Sequence, residues 1–570
     1  MTLPVWARQA PNRAIYRSNA TGTWQVHAWD RGTGTTRQVT DQPVGTAKAA
    51  IDPTGQWIYW FRCTEGDDFG VWMRQPFRGG PDEVVAPGVE PGQPGCTIFL
   101  SATGAAVFSM AYPGAFTTYL VRPGEEPRVL SQSAGPSWVT GISMDGSFIA
   151  VNHTESGDMH HPALKVVRQC GEVVGELFDG PGKGTTGLGF APVPGDRRLL
   201  VLHERRNRRE PLVWDPVTDE QREIWLKDTG ELEAEWYPDG RALLLVRHDR
   251  GRTHLHRYDL AGGGLTSIDT PHGVIEAACP RPGGHVEYSW SSSSRPPVIR
   301  STSGQAVMQS GPSAPASVPV EDIDVEGEGG RIHAMVSLPE NGAPPYPAIF
   351  LLNRTLWSHD SDSFSPETAA WIDNGYAVVR VNYRGSTGYG SAWRDAVHES
   401  IGHTQLADLA AVRAHLVARD MIDPRRTALV GQAWGGYLTL LGMGVQPELW
   451  AAGIATMPLA CLLTAYEDMP EGRRAHYRAL FGGPPSEHPE RYEASSPLTY
   501  VEQVQHPVMI LAARAEAGLS SRQLEKYLAK LDEHGREYRL HTYEAGRASL
   551  VVGERIAQMA ARLEFARKHV

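Results

Sequence analysis

The stretch Gly431-Gln432-Ala433-Trp434-Gly435-Gly436-Tyr437 carries the most chemical information in the sequence. It follows the apolar run Thr427-Ala428-Leu429-Val430 and opens a helical pattern, the context of a G-x-S-x-G nucleophile elbow. Small residues are needed there because the sharp strand-to-helix turn brings backbone against backbone. The glycines are present, but the position of the attacking serine holds Ala433. Alanine has no nucleophilic atom, so no covalent acyl intermediate forms at this position. The backbone N–H of Trp434, one residue further on, needs no particular side chain and is expected to polarise a carbonyl oxygen. Gln432 flanks the same turn.

The elements that must hold this turn come in two kinds. From residue 321 onward, apolar runs alternate with helical spacing: Tyr346–Leu352 and Ala377–Asn382 as strands, Leu406–Arg419 as a helix, then the elbow strand. Pro507–Leu511 follows as a strand and Ser521–His534 as a helix. Such alternation predicts a parallel sheet covered on both faces. The first 310 residues read differently. A small turn ending in Gly precedes an apolar, β-rich run again and again: Gly55 before Trp57–Trp60, Gly104 before Ala105–Phe108, Gly146 before Phe148–Val151. Gly195, Gly240 and Gly283-Gly284 continue the series, and Pro11-Asn12-Arg13 begins it. The spacing of roughly 42–49 residues is that of a four-stranded propeller blade, and seven copies predict a seven-bladed β-propeller. Residues 303–320 are rich in Ser, Pro, Gly and Ala. The expected division is a propeller over 1–310, a linker over 311–320, and an α/β-hydrolase domain over 321–570.

Three further motifs give this reading a family. Val381-Asn382-Tyr383-Arg384-Gly385-Ser386-Thr387-Gly388-Tyr389-Gly390, Asp423-Pro424-Arg425-Arg426 and Ser496-Pro497-Leu498-Thr499-Tyr500 closely match signatures of the prolyl oligopeptidase family. Gly66-Asp67-Asp68-Phe69-Gly70-Val71-Trp72 is similar to a propeller motif of the same enzymes. The chain therefore resembles a member of that family, of the acylaminoacyl-peptidase type, over nearly its whole length.

The departures from the family pattern all fall on chemistry. Where the family has a His-Gly-Gly-Pro loop that builds the oxyanion site, this chain has Asn353-Arg354-Thr355-Leu356. The acid loop keeps its spacing to Gln523 but places Glu516 at the acid. The histidine loop reads Gly546-Arg547-Ala548. Arginine stays protonated and cannot serve as a general base. The resemblance thus implies a vacant nucleophile position at Ala433, Glu516 and Arg547 in the triad space, and Asn353, Arg354, Gln432, Trp434 and Tyr383 around a ligand. Two arrangements of the new residues are open. Glu516 and Arg547 form a salt bridge that fills the old acid–histidine space, since an unpaired buried arginine is costly. Alternatively, Arg354 and Arg547 bind an oxyanion while Glu516 transfers a proton. His359, His398, His403 and His541 are alternative bases, and Cys461, near the pocket by family topology, is expected to pack rather than react.

Composition narrows the partners. The formal net charge of −11 gives no electrostatic reason to bind nucleic acid or an anionic membrane. The run Arg205, Arg206, Arg208, Arg209 reads as solvated loop charge. Five scattered cysteines suggest neither a disulfide framework nor a zinc site, and no cofactor is expected. The N-terminal residues lack a signal-peptide pattern and no apolar run reaches membrane-spanning length, which predicts a cytoplasmic protein. Three functions stay open: a non-hydrolytic enzyme acting on a peptide-like or carbonyl-bearing small molecule, a pseudoenzyme that binds such a molecule or a partner protein, and a hydrolase using unfamiliar residues. The ligand is expected in the cavity between the domains, as a peptide-like or acidic small molecule.

Overall fold

The glycine-ended turns and apolar runs set the first architecture. In the computed structural model, residues 1–63, 69–227, 230–308, 314–513, 521–543 and 550–570 are described. Seven antiparallel sheets succeed one another from Val5–Trp6 to Arg295–Ser301, each with its strands in chain order. The repeated glycine sits in the turn before the second strand of its sheet at positive φ, for example +68° at Gly55 and +66° at Gly240. There a side chain would be strained. The third sheet has an interrupted inner strand, with Gln93–Pro94 and Phe99–Leu100 both pairing with Ala106–Tyr112. Among the described residues the seventh has three strands, Val274–Pro280, Val286–Ser292 and Arg295–Ser301.

The ring closes through side chains rather than a shared strand. Glu287 of the last blade, almost wholly buried, accepts from Trp6 Nε1 at 2.8 Å and pairs with Arg31 at 3.0 Å. Arg281 lies over the Trp6 ring at 3.9 Å. The arginine run of the fifth blade corrects a sequence expectation. Arg205 pairs with Asp179 and Glu223, Arg206 with Glu223 and Glu210, and Arg208 with Glu210, whose side chain is 0% exposed. A carboxylate buried so deeply needs countercharge, so these arginines are fixed partners rather than solvated loop charge.

The hydrolase domain is one eight-stranded sheet. Its strands are β1 (Glu321–Gly327), β2 (Gly330–Ser337), β3 (Tyr346–Leu352), β4 (Ala377–Asn382), β5 (Ile422–Gln432), β6 (Ala452–Thr456), β7 (Val508–Ala513) and β8 (Tyr538–Tyr543). They lie in the order β1-β2-β4-β3-β5-β6-β7-β8. From β4 to β8 all pairings are parallel, as the alternation predicts, whereas β1 and β2 form an antiparallel hairpin on one edge. Helices cover both faces: α1 (Pro366–Asp373), α2 (Ser391–Asp395), α3 (His403–Ala418), α4 (Trp434–Val445), α5 (Leu462–Asp468), α6 (Glu471–Phe481), α7 (Pro489–Ala494), α8 (Ser521–Glu533) and α9 (Val552–His569). Two apolar clusters fill the spaces, one around Phe350, Leu429 and Leu440 and one around Ile349, Val430 and Phe565. Neighbours along β3 and β5 thus alternate between the faces. The strand order reverses at β3, so the loops leaving β3 and β5 open a crevice at the carboxyl ends of the sheet. Among the described residues, no helix is long and apolar enough to cross a membrane.

Candidate active site

The sharp strand-to-helix turn is present, with Ala433 at its centre. Strand β5 ends at Gln432 and helix α4 begins at Trp434, with Ala433 between them at φ +53°, ψ −109°. Backbone contacts enforce the turn. A Cβ on Gly431 would lie 2.3 Å from the carbonyl carbon of Gly435, and one on Gly435 would lie 2.7 Å from Leu352 O. A Cβ on Gly436 would meet Thr456 O at 2.8 Å. Ala433 N–H donates to Thr456 O at 2.9 Å, tying the turn to the end of β6.

Trp434 N–H, expected to face a ligand carbonyl, is already engaged. It donates to the main-chain oxygen of Arg354 at 3.1 Å. The loop after β3 has folded onto the start of α4 and satisfies one of the N–H groups that a helix leaves open at its first turn. The Trp434 ring is 7% exposed and packs on Tyr437 at 4.6 Å. Asn353 and Gln432 are half-buried and the Arg354 side chain is exposed. Tyr383 is 1% exposed, in the apolar cluster below the loop. Burial and the neighbouring Asp360 carboxyl push its hydroxyl well above the usual phenol range. Glu516 and Arg547 lie outside the described residues.

The signature residues around Tyr383 act on the scaffold. Arg384 grips the buried Asp408 through Nε and Nη2, the latter at 2.7 Å. Asn382 accepts from Asp360 N at 2.7 Å and donates to Tyr389 Oη at 2.8 Å. Gln523, kept at its expected spacing, accepts from Ala460 N at 2.6 Å and donates to Pro458 O at 3.2 Å, pinning the segment after β6.

The alternative bases are mostly engaged elsewhere. His398 hydrogen-bonds Leu480 O at 2.9 Å and His403 bonds Ala494 O at 2.8 Å. His541 lies half-buried on β8. His359 bonds Thr387 Oγ1 at 3.1 Å, and burial, with His248 nearby, lowers it to about 4. Cys461 is 5% exposed, its thiol donating to Thr464 Oγ1 at 3.3 Å.

Two groups near the site escape sequence reasoning. Asp360, on the loop that carries Arg354, has a carboxyl raised to about 6 by burial, against the pull of Arg380. Nothing local marks it, because the burial is supplied by the other domain and by β4. The second group joins the domains around Trp357. His160 of the propeller meets the Trp357 ring at 3.7 Å, and His476 of α6 approaches both rings at 5.0 Å. His398 lies 5.7 Å from His160. Burial first, then neighbouring imidazoles, lower His160 to about 2 and His476 to about 4. Beside them Arg394 pairs with the buried Glu204 of the propeller and with Asp395 at 2.7 Å. His161 stands between Asp158 at 3.3 Å and Asp395 at 3.4 Å; against burial, those carboxylates raise it to about 9. The adjacent pair His160-His161 was the one sequence signal, and it had no visible partner. No group of side chains among the described residues is arranged to hold a metal ion.

The same arrangement of domains recurs among solved proteins. The whole chain superposes on a prolyl endopeptidase with a TM-score of 0.85 at 17% identity, covering 89% of that chain. Among curated sequences, dipeptidyl peptidase family member 6 of Caenorhabditis elegans is 25% identical over 226 residues, 39% of this chain and 30% of its own length. Dipeptidyl aminopeptidase BIII of Pseudoxanthomonas mexicana is 23% identical over 350 residues, 58% of this chain and 48% of its own. The matches thus span half or less of those relatives' length. The elbow, the signature loop and α4 to α9 all fall within residues 362–570, and that part of the chain matches the prolyl oligopeptidase family model.

Proposed function

We propose that this chain is a pseudo-peptidase: a family member that binds a peptide-like molecule between propeller and hydrolase sheet and does not cleave it. The hydrogen bond from Trp434 N–H to Arg354 O carries this reading. An acyl-transfer site needs a nucleophile and a donor aimed at the developing oxyanion. Here the first position is a methyl group and the donor is engaged by the protein itself. The replacement of the family's histidine by Arg547 points the same way. The names of the relatives, dipeptidyl peptidases and a prolyl endopeptidase, support a peptide-like ligand. On this reading Asn353, Arg354 and Gln432 face the ligand.

A second reading, a non-hydrolytic enzyme on a carbonyl-bearing small molecule, has one observation in its favour. Asp360, with its carboxyl near 6, suits proton transfer at neutral pH better than an ordinary aspartate.

The deciding variant is Ala433→Ser. The pseudo-peptidase reading expects no hydrolysis of aminoacyl or peptidyl chromogenic substrates and no fluorophosphonate labelling, because neither a base nor an open oxyanion donor awaits the new hydroxyl. Efficient turnover by the single variant would overturn it. Turnover of a carbonyl substrate by the wild-type protein, abolished by Asp360→Asn, would establish the second reading instead.

A further inference from the structure

The remote end of the propeller presents a second polar constellation. Within each blade the first strand runs away from the hydrolase domain. The hairpins joining second and third strands carry the contacts to that domain, through Asn207 and Arg250 for instance. Along Glu231–Trp236, Leu232 and Trp236 are buried while Glu233 and Glu235 keep accessible surface. The two-residue period of a strand puts both carboxylates on the same side, opposite Leu232 and Trp236. Glu233 meets His248 at 3.6 Å near the hydrolase end. Glu235, two residues on, stands at the opposite mouth.

That mouth is a cavity of about 310 Å³ lined by the first, fifth, sixth and seventh blades, within the ~300–1,000 Å³ range usual for small-molecule sites. Pro4, Pro11, Pro238 and Pro282 stiffen its rim, and Trp6 and Trp236 give it an apolar wall. Arg8 and Glu235 both reach into it. No side-chain hydrogen bond or ion pair joins either of them to another described residue. Both residues are exposed to the solvent that enters the cavity, and the protein around that solvent raises the Glu235 carboxyl to about 7 despite Arg8 and lowers Arg8 despite Glu235. The contrast with the ring closure beside it is direct. There Glu287 is saturated by Trp6, Arg31 and Arg281, so opposite charges at this seam pair wherever they can reach.

We propose that this mouth is a binding site for a zwitterionic amino acid, with Arg8 taking the carboxylate, Glu235 the ammonium and the proline–tryptophan wall an apolar side chain. A preformed, mostly apolar cavity with two opposed and unbonded charges selects a ligand carrying both charges on a short frame. The site is separate from the elbow and stands whether or not the elbow binds a peptide-like molecule.

Calorimetric titration of the full-length protein tests it with three probes: phenylalanine, its N-acetyl derivative and its amide. Phenylalanine should bind, and each blocked derivative, lacking one charge, should bind at least about tenfold more weakly. Arg8→Gln and Glu235→Gln should each weaken phenylalanine by about tenfold or more at unchanged melting temperature, whereas Ala433→Ser should leave binding untouched. Binding of phenylalanine should strengthen between pH 6 and 8 as Glu235 ionises, and that slope should vanish in Glu235→Gln. No binding of phenylalanine, equal binding of the three probes, or wild-type affinity in both variants would overturn the proposal.

Discussion

The elbow and the domain interface beside it are built from opposite materials. The elbow is held by main chain: Gly431, Gly435 and Gly436 pack backbone on backbone, and Ala433 N–H is tied to β6. Its shape does not depend on what side chain stands at position 433. The interface is held by side chains in particular charge states: Arg394 against buried Glu204, His161 between two carboxylates, neutral His160 and His476 around Trp357. A site built from backbone keeps its form when its chemistry is replaced. A site built from buried charge does not.

Breaking the interface should give the larger effects. Arg394→Ala leaves Glu204 inside the junction with the Gly184 N–H at 3.2 Å and Arg209, 3.7 Å away, as its remaining company among the described residues. A loss of about 3 kcal/mol in denaturant unfolding is expected. Arg250→Ala also removes a cross-domain pair, to Asp324, but both side chains are about 40% exposed, and the expected loss is below about 1 kcal/mol. Equal losses from the two variants would mean that burial is not what distinguishes them.

Acid should expose the same difference more gently. His160 and His476 have folded-state values below the ordinary 6.5, so the unfolded chain binds more protons than the native one in that window. Their contribution is complete above pH 6.5 and is lost as pH falls toward 4. His161 is shifted the other way, so its contribution is full below 6.5 and lost as pH rises through about 9. Asp158, Asp395, Arg394 and His398 are the charged and titratable neighbours that set the balance. Melting curves should therefore show greatest stability near neutral pH. His476→Phe, which keeps the ring contact with Trp357, should recover about 2 kcal/mol at pH 4.5 and nothing at pH 7.5. An unchanged acid limb would remove the cluster from the account.

The smallest effect belongs to the elbow. Ala433→Gly relieves a positive φ at a residue that carries a Cβ, and should raise stability by about 1 kcal/mol. A fall in stability would show that the Ala433 methyl packs against something that the backbone account leaves out.

The sequence by itself determined every feature that depends on neighbours in the chain. A glycine-ended turn followed by an apolar run recurs six times after the opening Pro11-Asn12-Arg13, because each blade is a local hairpin structure, so the propeller could be counted. The alternation after residue 321 likewise marked the strands from Tyr346 onward, and the elbow glycines marked the turn. What the sequence missed involves partners from different parts of the chain. Trp434 N–H is engaged by Arg354, from the loop after β3, which is next to β5 in the sheet but two strands earlier in the chain. Tyr383, placed in a binding role by its motif, lies under that loop because β4 carries it into the apolar cluster. His160 meets Trp357 and His476, and Arg8 faces Glu235, only once a ring of blades has closed over a sheet. Burial sets the protonation of those groups, and burial is the sum of everything packed around a side chain, which no local stretch of sequence contains.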